Sequence, residues 1–134
     1  MTALTVTADN VRVVKRSDQD QITLPAGEAF VAGQYIRPNT STGKFELGKA
    51  TTNAEIGDGY IAEKDTAIGE PATGVRSPCW LDLGSALDSL AYSASVYLSD
   101  TDGTLADAAG TVPFIVGTVV PGWAGSAKKL LRLD

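Results

Sequence analysis

The sequence predicts a small, mainly β protein: one domain, a barrel or a sandwich (β-tulip-like), with at most one short helix. Three observations carry this. Short runs of β-branched and aliphatic residues recur along the chain, turn signals separate them roughly every 8–12 residues, and sustained helical periodicity is missing. The 134 residues suffice for one core, since a chain of this mass hides on the order of two-thirds of its surface on folding.

The elements follow in order. Thr2–Thr7 alternates and is rich in β-branched types, which predicts a first strand. Val11–Val14 and Gln21–Leu24 read as strands separated by the polar run Lys15–Asp20, and Pro25–Gly27 turns the chain. Ala29–Arg37 predicts one strand interrupted at Gly33, and Pro38–Gly43 is a loop. Strands are then expected at Phe45–Leu47, Gly59–Glu63, Gly74–Arg76, Trp80–Leu83, Ser95–Leu98, Pro113–Val120 and Leu130–Leu133. Thr51–Glu55 reads equally as a helical turn or a loop. Ser85 followed by Asp88 has the spacing of a capping box, so one or two helical turns with Ala86, Leu87, Leu90 and Ala91 as the apolar stripe are expected there. Fourteen glycines and six prolines are scattered as turn residues and mark no linker. Residues 1–20 are set apart as an N-terminal strand or arm, and residues 21–134 form the β-rich domain.

Net charge is −5 and unevenly spread. Residues 51–127 hold Lys64 and Arg76 against ten carboxylates, whereas Arg12, Lys15 and Arg16 near one end and Lys128, Lys129 and Arg132 near the other form short basic tracts. An acidic body repels phosphate, so nucleic acid is not an expected partner. No apolar run approaches the ~18 residues of a membrane helix, and Met1–Leu4 lacks the charged and apolar regions of a signal peptide.

Catalytic signatures are sparse. The chain has no His and one Cys, which removes the commonest general base, the usual zinc ligand and any intrachain disulfide. Cys79, before Trp80 and Leu81, reads as a buried structural thiol. Asp58, Glu63, Asp65, Asp82 and Asp88 supply possible carboxylate pairs, but any acidic chain does, and a solvated face is the plainer reading. Asp100-Thr-Asp102-Gly103 resembles a calcium-loop fragment with its Gly misplaced for an EF-hand, so a hairpin turn is expected. Trp80 and Trp123 read as core or interface packing before they read as a sugar platform. No enzyme activity, metal or cofactor is expected.

An internal echo is more informative. Gln34–Ala50 and Val96–Ala109 each read as a strand ending in Tyr plus an aliphatic residue, a polar turn closed by Gly, and a short strand with alanine. Each is followed by a glycine-bearing strand, Ile56–Ala62 and Ile115–Val120. Two such units are expected to pack face to face.

Leu24-Pro-Ala-Gly-Glu-Ala-Phe-Val-Ala-Gly-Gln-Tyr-Ile-Arg37, Thr42-Gly-Lys-Phe-Glu-Leu-Gly-Lys-Ala50 and Gly57-Asp-Gly-Tyr-Ile-Ala62 resemble capsid cement (head decoration) proteins of tailed bacteriophages. Ser95-Val-Tyr-Leu-Ser-Asp-Thr-Asp-Gly-Thr-Leu-Ala-Asp107 and Val116-Gly-Thr-Val-Val120 extend the resemblance over about residues 24–120. It implies a non-enzymatic protein on the outer surface of the virion capsid. Such a protein binds the major capsid protein, bridges its subunits and self-associates, with a trimer favoured and a dimer possible. A carbohydrate-binding or adhesive module on a virion surface is the alternative. Partner contacts are expected at Leu4, Val6, Arg12, Lys15, Arg16 and Trp123. For residues 2–7 two fates stay open: a strand of the chain's own sheet, or an arm added to a partner's sheet edge.

Overall fold

The computed structural model describes residues 3–15, 21–76, 80–122 and 129–133; the side chains of residues 9 and 12–15 lie outside that description. The chain is mainly β. The strands are β1 (Val11–Lys15), β2 (Gln21–Pro25), β3 (Tyr35–Pro38), β4 (Phe45–Leu47), β5 (Tyr60–Ala62), β6 (Pro71–Val75), β7 (Trp80–Leu83), β8 (Ser95–Leu98), β9 (Leu105–Ala106), β10 (Ile115–Pro121) and β11 (Lys129–Leu133). One helical turn, α1 (Asn53–Ile56), stands between β4 and β5. Short 3₁₀ turns occupy Ala8–Asn10 and Gly84–Leu87.

All strand pairs are antiparallel, in two sheets. One runs β2-β6-β5-β3-β4 and the other β1-β7-β11-β10-β8-β9. Raising each strand number of the first sheet by five yields the second, apart from the added β1. The register repeats as well. Tyr35 faces Ile61 and Ile36 faces Leu47 in the first sheet; Tyr97 faces Ile115 and Leu98 faces Leu105 in the second. The echo in the sequence is therefore a repeated five-strand unit.

The first sheet curls until Ala26, one residue beyond β2, bridges Phe45 of β4 in parallel, and the Gly27 N–H donates to the Phe45 carbonyl at 2.8 Å. Phe45, Ile36, Tyr60, Ala62, Ala72 and Phe30 fill its interior, with the Phe45 and Tyr60 rings edge to face at 5.7 Å. Alternate residues of the same strands, Tyr35, Ile61 and Val75, join a larger cluster with Leu81, Leu83, Val96, Leu98, Leu131 and Leu133 of the second sheet. Period two thus serves two cores at once, which is why all of β5 is buried.

Tyr35 is enclosed where the units meet. Its hydroxyl donates to the Ile56 carbonyl at 2.9 Å, and its ring meets Phe114 edge-on at 5.9 Å. Burial, with the Asp58 charge adding, pushes the phenol far above its ordinary range.

Four expectations are corrected by local chemistry. Of the strand expected at residues 2–7, residues 3–7 form none (Thr2 lies outside the described residues): Ala3 makes one bridge to Ala106, and the Leu4 N–H donates to the Leu105 carbonyl at 2.9 Å. β9 is two residues long and offers no further rung, so the chain turns into the 3₁₀ segment and crosses to the opposite edge as β1. Ala29–Arg37 is split. Phe30 bridges Thr66, Gly33 turns at φ 90°, and only Tyr35–Pro38 is strand. The strand expected at Gly74–Arg76 begins at Pro71, since a proline is tolerated where it opens a strand. Ser85 does not cap a helix: Gly84, at φ 66°, has its N–H bound by the Asp82 carboxylate at 2.9 Å, and a 3₁₀ turn results. Thr51–Glu55, left open, resolves into α1, with the Thr52 hydroxyl accepting from the Glu55 N–H.

Phe45 is the largest fully buried side chain in the interior of the first sheet. Phe45→Ala should cost about 3–5 kcal/mol of unfolding free energy, read as a lowered midpoint in urea at unchanged slope; a loss under about 1 kcal/mol would show that the curled sheet is not a packed core.

Candidate partner surface

The second sheet buries one face fully and the other in part: Val120 and Leu130, on the face of Thr118 and Arg132, are buried, while Arg132 is exposed. In β7, Leu81 and Leu83 are buried while Trp80 and Asp82 are half-buried. In β11, Leu131 and Leu133 are buried and Arg132 is exposed; in β10, Thr118 stands half-buried between buried Gly117 and Val119. The register aligns the outward positions Trp80, Arg132, Thr118 and Ser95 into one row across four strands, and pairs Lys15 of β1 with Trp80. Arg12 stands opposite Asp82 in the neighbouring row. Tyr97 and Ile115 continue the same sheet beyond Ser95, and Ile115 is 44% exposed.

This placement comes from the strand order. β1 and β11 flank β7, so Arg12 and Lys15 from one end of the chain and Lys129 and Arg132 from the other belong to the strands on either side of Trp80. Arg132 shares this outward face with Trp80 and Tyr97 in a protein whose net charge is −5, whereas Lys129 is turned to the Asp88 and Leu90 carbonyls. Arginine and large aromatics are the side chains enriched at protein interfaces, where they bury much area at modest entropic cost.

Three of the five carboxylates considered for catalysis make bonds within the fold. Asp65 Oδ1 accepts from the Ala32 N–H at 3.0 Å, Asp82 Oδ1 from Gly84, and Asp58 pairs with Arg76. The Arg76 guanidinium also lies 4.7 Å over the Tyr60 ring. Asp88 is exposed, and its backbone carbonyl accepts from the Lys129 ammonium at 3.1 Å. Among the described residues, no group of three or more His, Cys, Asp or Glu is disposed around a common metal position, and no helix is long and apolar enough to cross a membrane.

The Asp100–Gly103 segment forms a tight connection between β8 and β9, with Gly103 at φ 68° and the Thr104 N–H donating to the Thr101 carbonyl. Asp100 is turned toward Thr111, whose N–H and hydroxyl donate to its two oxygens at 2.8 and 2.7 Å. These bonds, the backbone one foremost, hold the carboxyl below its ordinary range.

The expected contact residues separate into groups. Leu4 and Val6 pack against the chain's own larger core. Arg12 and Lys15 lie in β1 at the margin of the outward row, and Arg16 and Trp123 fall outside the described residues, as does Cys79. Sequence reasoning missed Trp80, Arg132, Tyr97 and Ile115 as one surface. Period-two alternation in Trp80–Leu83 was a usable signal for the outward Trp80, but neighbours contributed by distant strands leave no local trace. Comparison with protein-family models, with curated proteins and with solved structures finds no match for this chain.

The Asp100 bonds set a pH dependence. A carboxyl depressed in the folded state contributes stability that is complete above the unfolded range near 4, and loses it as pH falls through the folded value. Asp100→Asn should therefore lower Tm at pH 7, and the gap from wild type should close as both are melted at progressively lower pH. A gap constant down to about pH 2 would remove the charge from the explanation.

Proposed function

We propose that this chain is a non-enzymatic structural protein that binds the outer surface of a phage capsid and stabilises it by bridging capsid subunits. The observation that carries the reading is the outer face of the second sheet, where Trp80 and Tyr97 stand with Arg132 and Ile115 on a β scaffold in an otherwise acidic chain. The resemblance at residues 24–120 supports it independently. It begins in β2 and ends in β10, and so spans most of both repeated units. In this reading the contact falls to Trp80, Arg132 and their neighbours in β1, while Leu4 and Val6 serve the fold.

The physical role is additive. Each bound copy adds its interface energy to what must be overcome to separate neighbouring subunits, and many modest contacts acting in parallel resist internal pressure. Self-association, as a trimer or a dimer, would raise effective concentration at each docking point. The Arg132 cation on the docking face favours an acidic patch on the shell and speeds encounter with it.

One second reading has an observation in its favour: half-exposed Trp80 and Tyr97 on one face also suit stacking on a sugar ring. Cosedimentation with undecorated capsids and a glycan array separate the two. Wild type should pellet with capsids, and Arg132→Glu should weaken this at least tenfold at low salt with its melting transition preserved. Absence of wild-type pelleting would overturn the capsid reading, and selective glycan retention lost in Trp80→Ala would favour the alternative.

A further inference from the structure

The chain holds two Asp-Gly pairs, Asp58-Gly59 and Asp102-Gly103, and no Asn-Gly pair. An aspartate followed by glycine can rearrange its own backbone, because glycine has no Cβ to block the approach of its nitrogen to the aspartate carboxyl. Two conditions govern whether this happens in a folded protein. The nitrogen must be able to leave whatever it bonds, and the carboxyl must be able to turn toward it. The fold treats the two pairs oppositely.

Gly103 is buried and held from both sides. Its N–H donates to the Gly48 carbonyl at 2.7 Å, and its carbonyl accepts from the Tyr35 N–H at 3.0 Å. Gly48 follows β4 and Tyr35 begins β3, so these bonds tie the β8–β9 turn of the second unit to the first unit. Releasing the Gly103 nitrogen therefore requires local opening where the units meet.

Gly59 is half-buried, and among the described residues its N–H has no hydrogen-bond partner. Asp58 is exposed and has glycine on both sides. Its carboxylate pairs with the Arg76 guanidinium, but the side chains of this pair are 73% and 41% exposed. Ion pairs at such exposure contribute little and open readily. The restraint at Asp58 thus falls on the carboxyl and is weak, whereas the restraint at Asp102 falls on the attacking nitrogen and is shared with the junction. The second is the harder to release.

We infer that Asp58 is a site of spontaneous isoaspartate formation in the folded protein, and that the rearrangement loosens the junction between the two units. The Gly59 nitrogen attacks the Asp58 Cγ; the nitrogen's proton and the carboxyl hydroxyl leave together as water, and a five-membered succinimide closes. Water then adds to one of the two ring carbonyls. Addition at Cγ restores aspartate. Addition at the former backbone carbonyl breaks the original peptide linkage, routes the main chain through Cβ and Cγ, and leaves the carboxylate on Cα. The product is an isomer of the starting chain.

The structural consequence follows from where Gly59 sits. A Cβ at Gly59 would overlap the Tyr35 hydroxyl, so this stretch has no slack. Isoaspartate adds one carbon to the main chain immediately before β5 and shortens the arm that carries the carboxylate to Arg76. The Tyr35 bond to the Ile56 carbonyl and the seat of Tyr60 lie directly beside the inserted atom in sequence or in space. The site is in the first unit, and the inference does not depend on capsid docking through the second sheet.

The test ages the full wild-type chain at pH 7.4 and 37 °C, once folded and once in urea strong enough to keep it unfolded. Trypsin cuts after Lys49 and Lys64 and after Arg76 and Lys128, so the two pairs are read in separate peptides. Methylation by a protein isoaspartyl methyltransferase with S-adenosylmethionine detects isoaspartate, and fragment-ion mass spectra assign its position. In the folded chain isoaspartate should accumulate at Asp58 at least tenfold faster than at Asp102, and in urea the two rates should converge. Equal rates in the folded chain, a faster rate at Asp102, or a ratio in urea as large as in the folded chain would overturn the assignment. The isoaspartate form, separated from the aspartate form by ion exchange, should melt at a lower temperature; identical melting would overturn the loosening of the junction.

Discussion

A phenol buried between two sheets must bond its hydroxyl within the protein, because leaving that group unpaired costs about 1–3 kcal/mol. Tyr35 meets this demand at the Ile56 carbonyl, and much of the architecture is arranged around that bond. The helical turn α1 delivers the acceptor, and its Thr52 N-cap fixes where the turn begins. Gly48 and Gly59 leave the ring its space: a Cβ at Gly48 would stand 2.7 Å from ring carbons, and one at Gly59 would overlap the hydroxyl. Phe114, from the second unit, closes the ring edge-on. One side chain thereby ties β3, α1, the approach to β5 and the second unit into a common core.

The repeated strand order gives the two units the same grammar, but their equivalent residues do not share a fate. Tyr35 and Ile61 are covered by the second sheet, whereas their counterparts Tyr97 and Ile115 stand on its outer face, half-buried and exposed. Position in the repeat fixes which face a side chain takes, and the neighbour across the interface decides whether it is buried. A residue type that stabilises the fold in the first unit is thus presented to partners in the second.

How far the sequence could be read follows the same division. Period-two alternation and turn chemistry are local, and they located Phe45–Leu47, Trp80–Leu83 and Ser95–Leu98 at their observed limits. The β fold class and the hairpin turn at Asp100–Gly103 were likewise legible. Residues 2–7 have strand composition, yet a strand exists only where a partner offers rungs, and β9 offers too few. Gly33 marked an interruption but not its meaning, which depends on Val6 and Val11 packing close against it; a Cβ there would meet them at 2.8 and 3.0 Å. The basic tracts were visible as composition. That β1 and β11 would flank β7 and its Trp80 required the order of strands contributed from both ends of the chain.

The crossing of the N-terminal segment between the two edges of the second sheet bears on synthesis. On the ribosome, residues 21–75 supply every strand of the first sheet before β7 has been made, so that unit can pair as it emerges. The first fifteen residues have no such opportunity. β1 waits for β7, and Leu4 waits for Leu105, about a hundred residues later in translation. Closing so long a loop is entropically slow, and until it closes an apolar, strand-forming terminus stays open to pairing with neighbouring chains. Some of the first residues translated thus wait for partners made roughly seventy to a hundred residues later, and the growing chain must shelter them through most of its own synthesis.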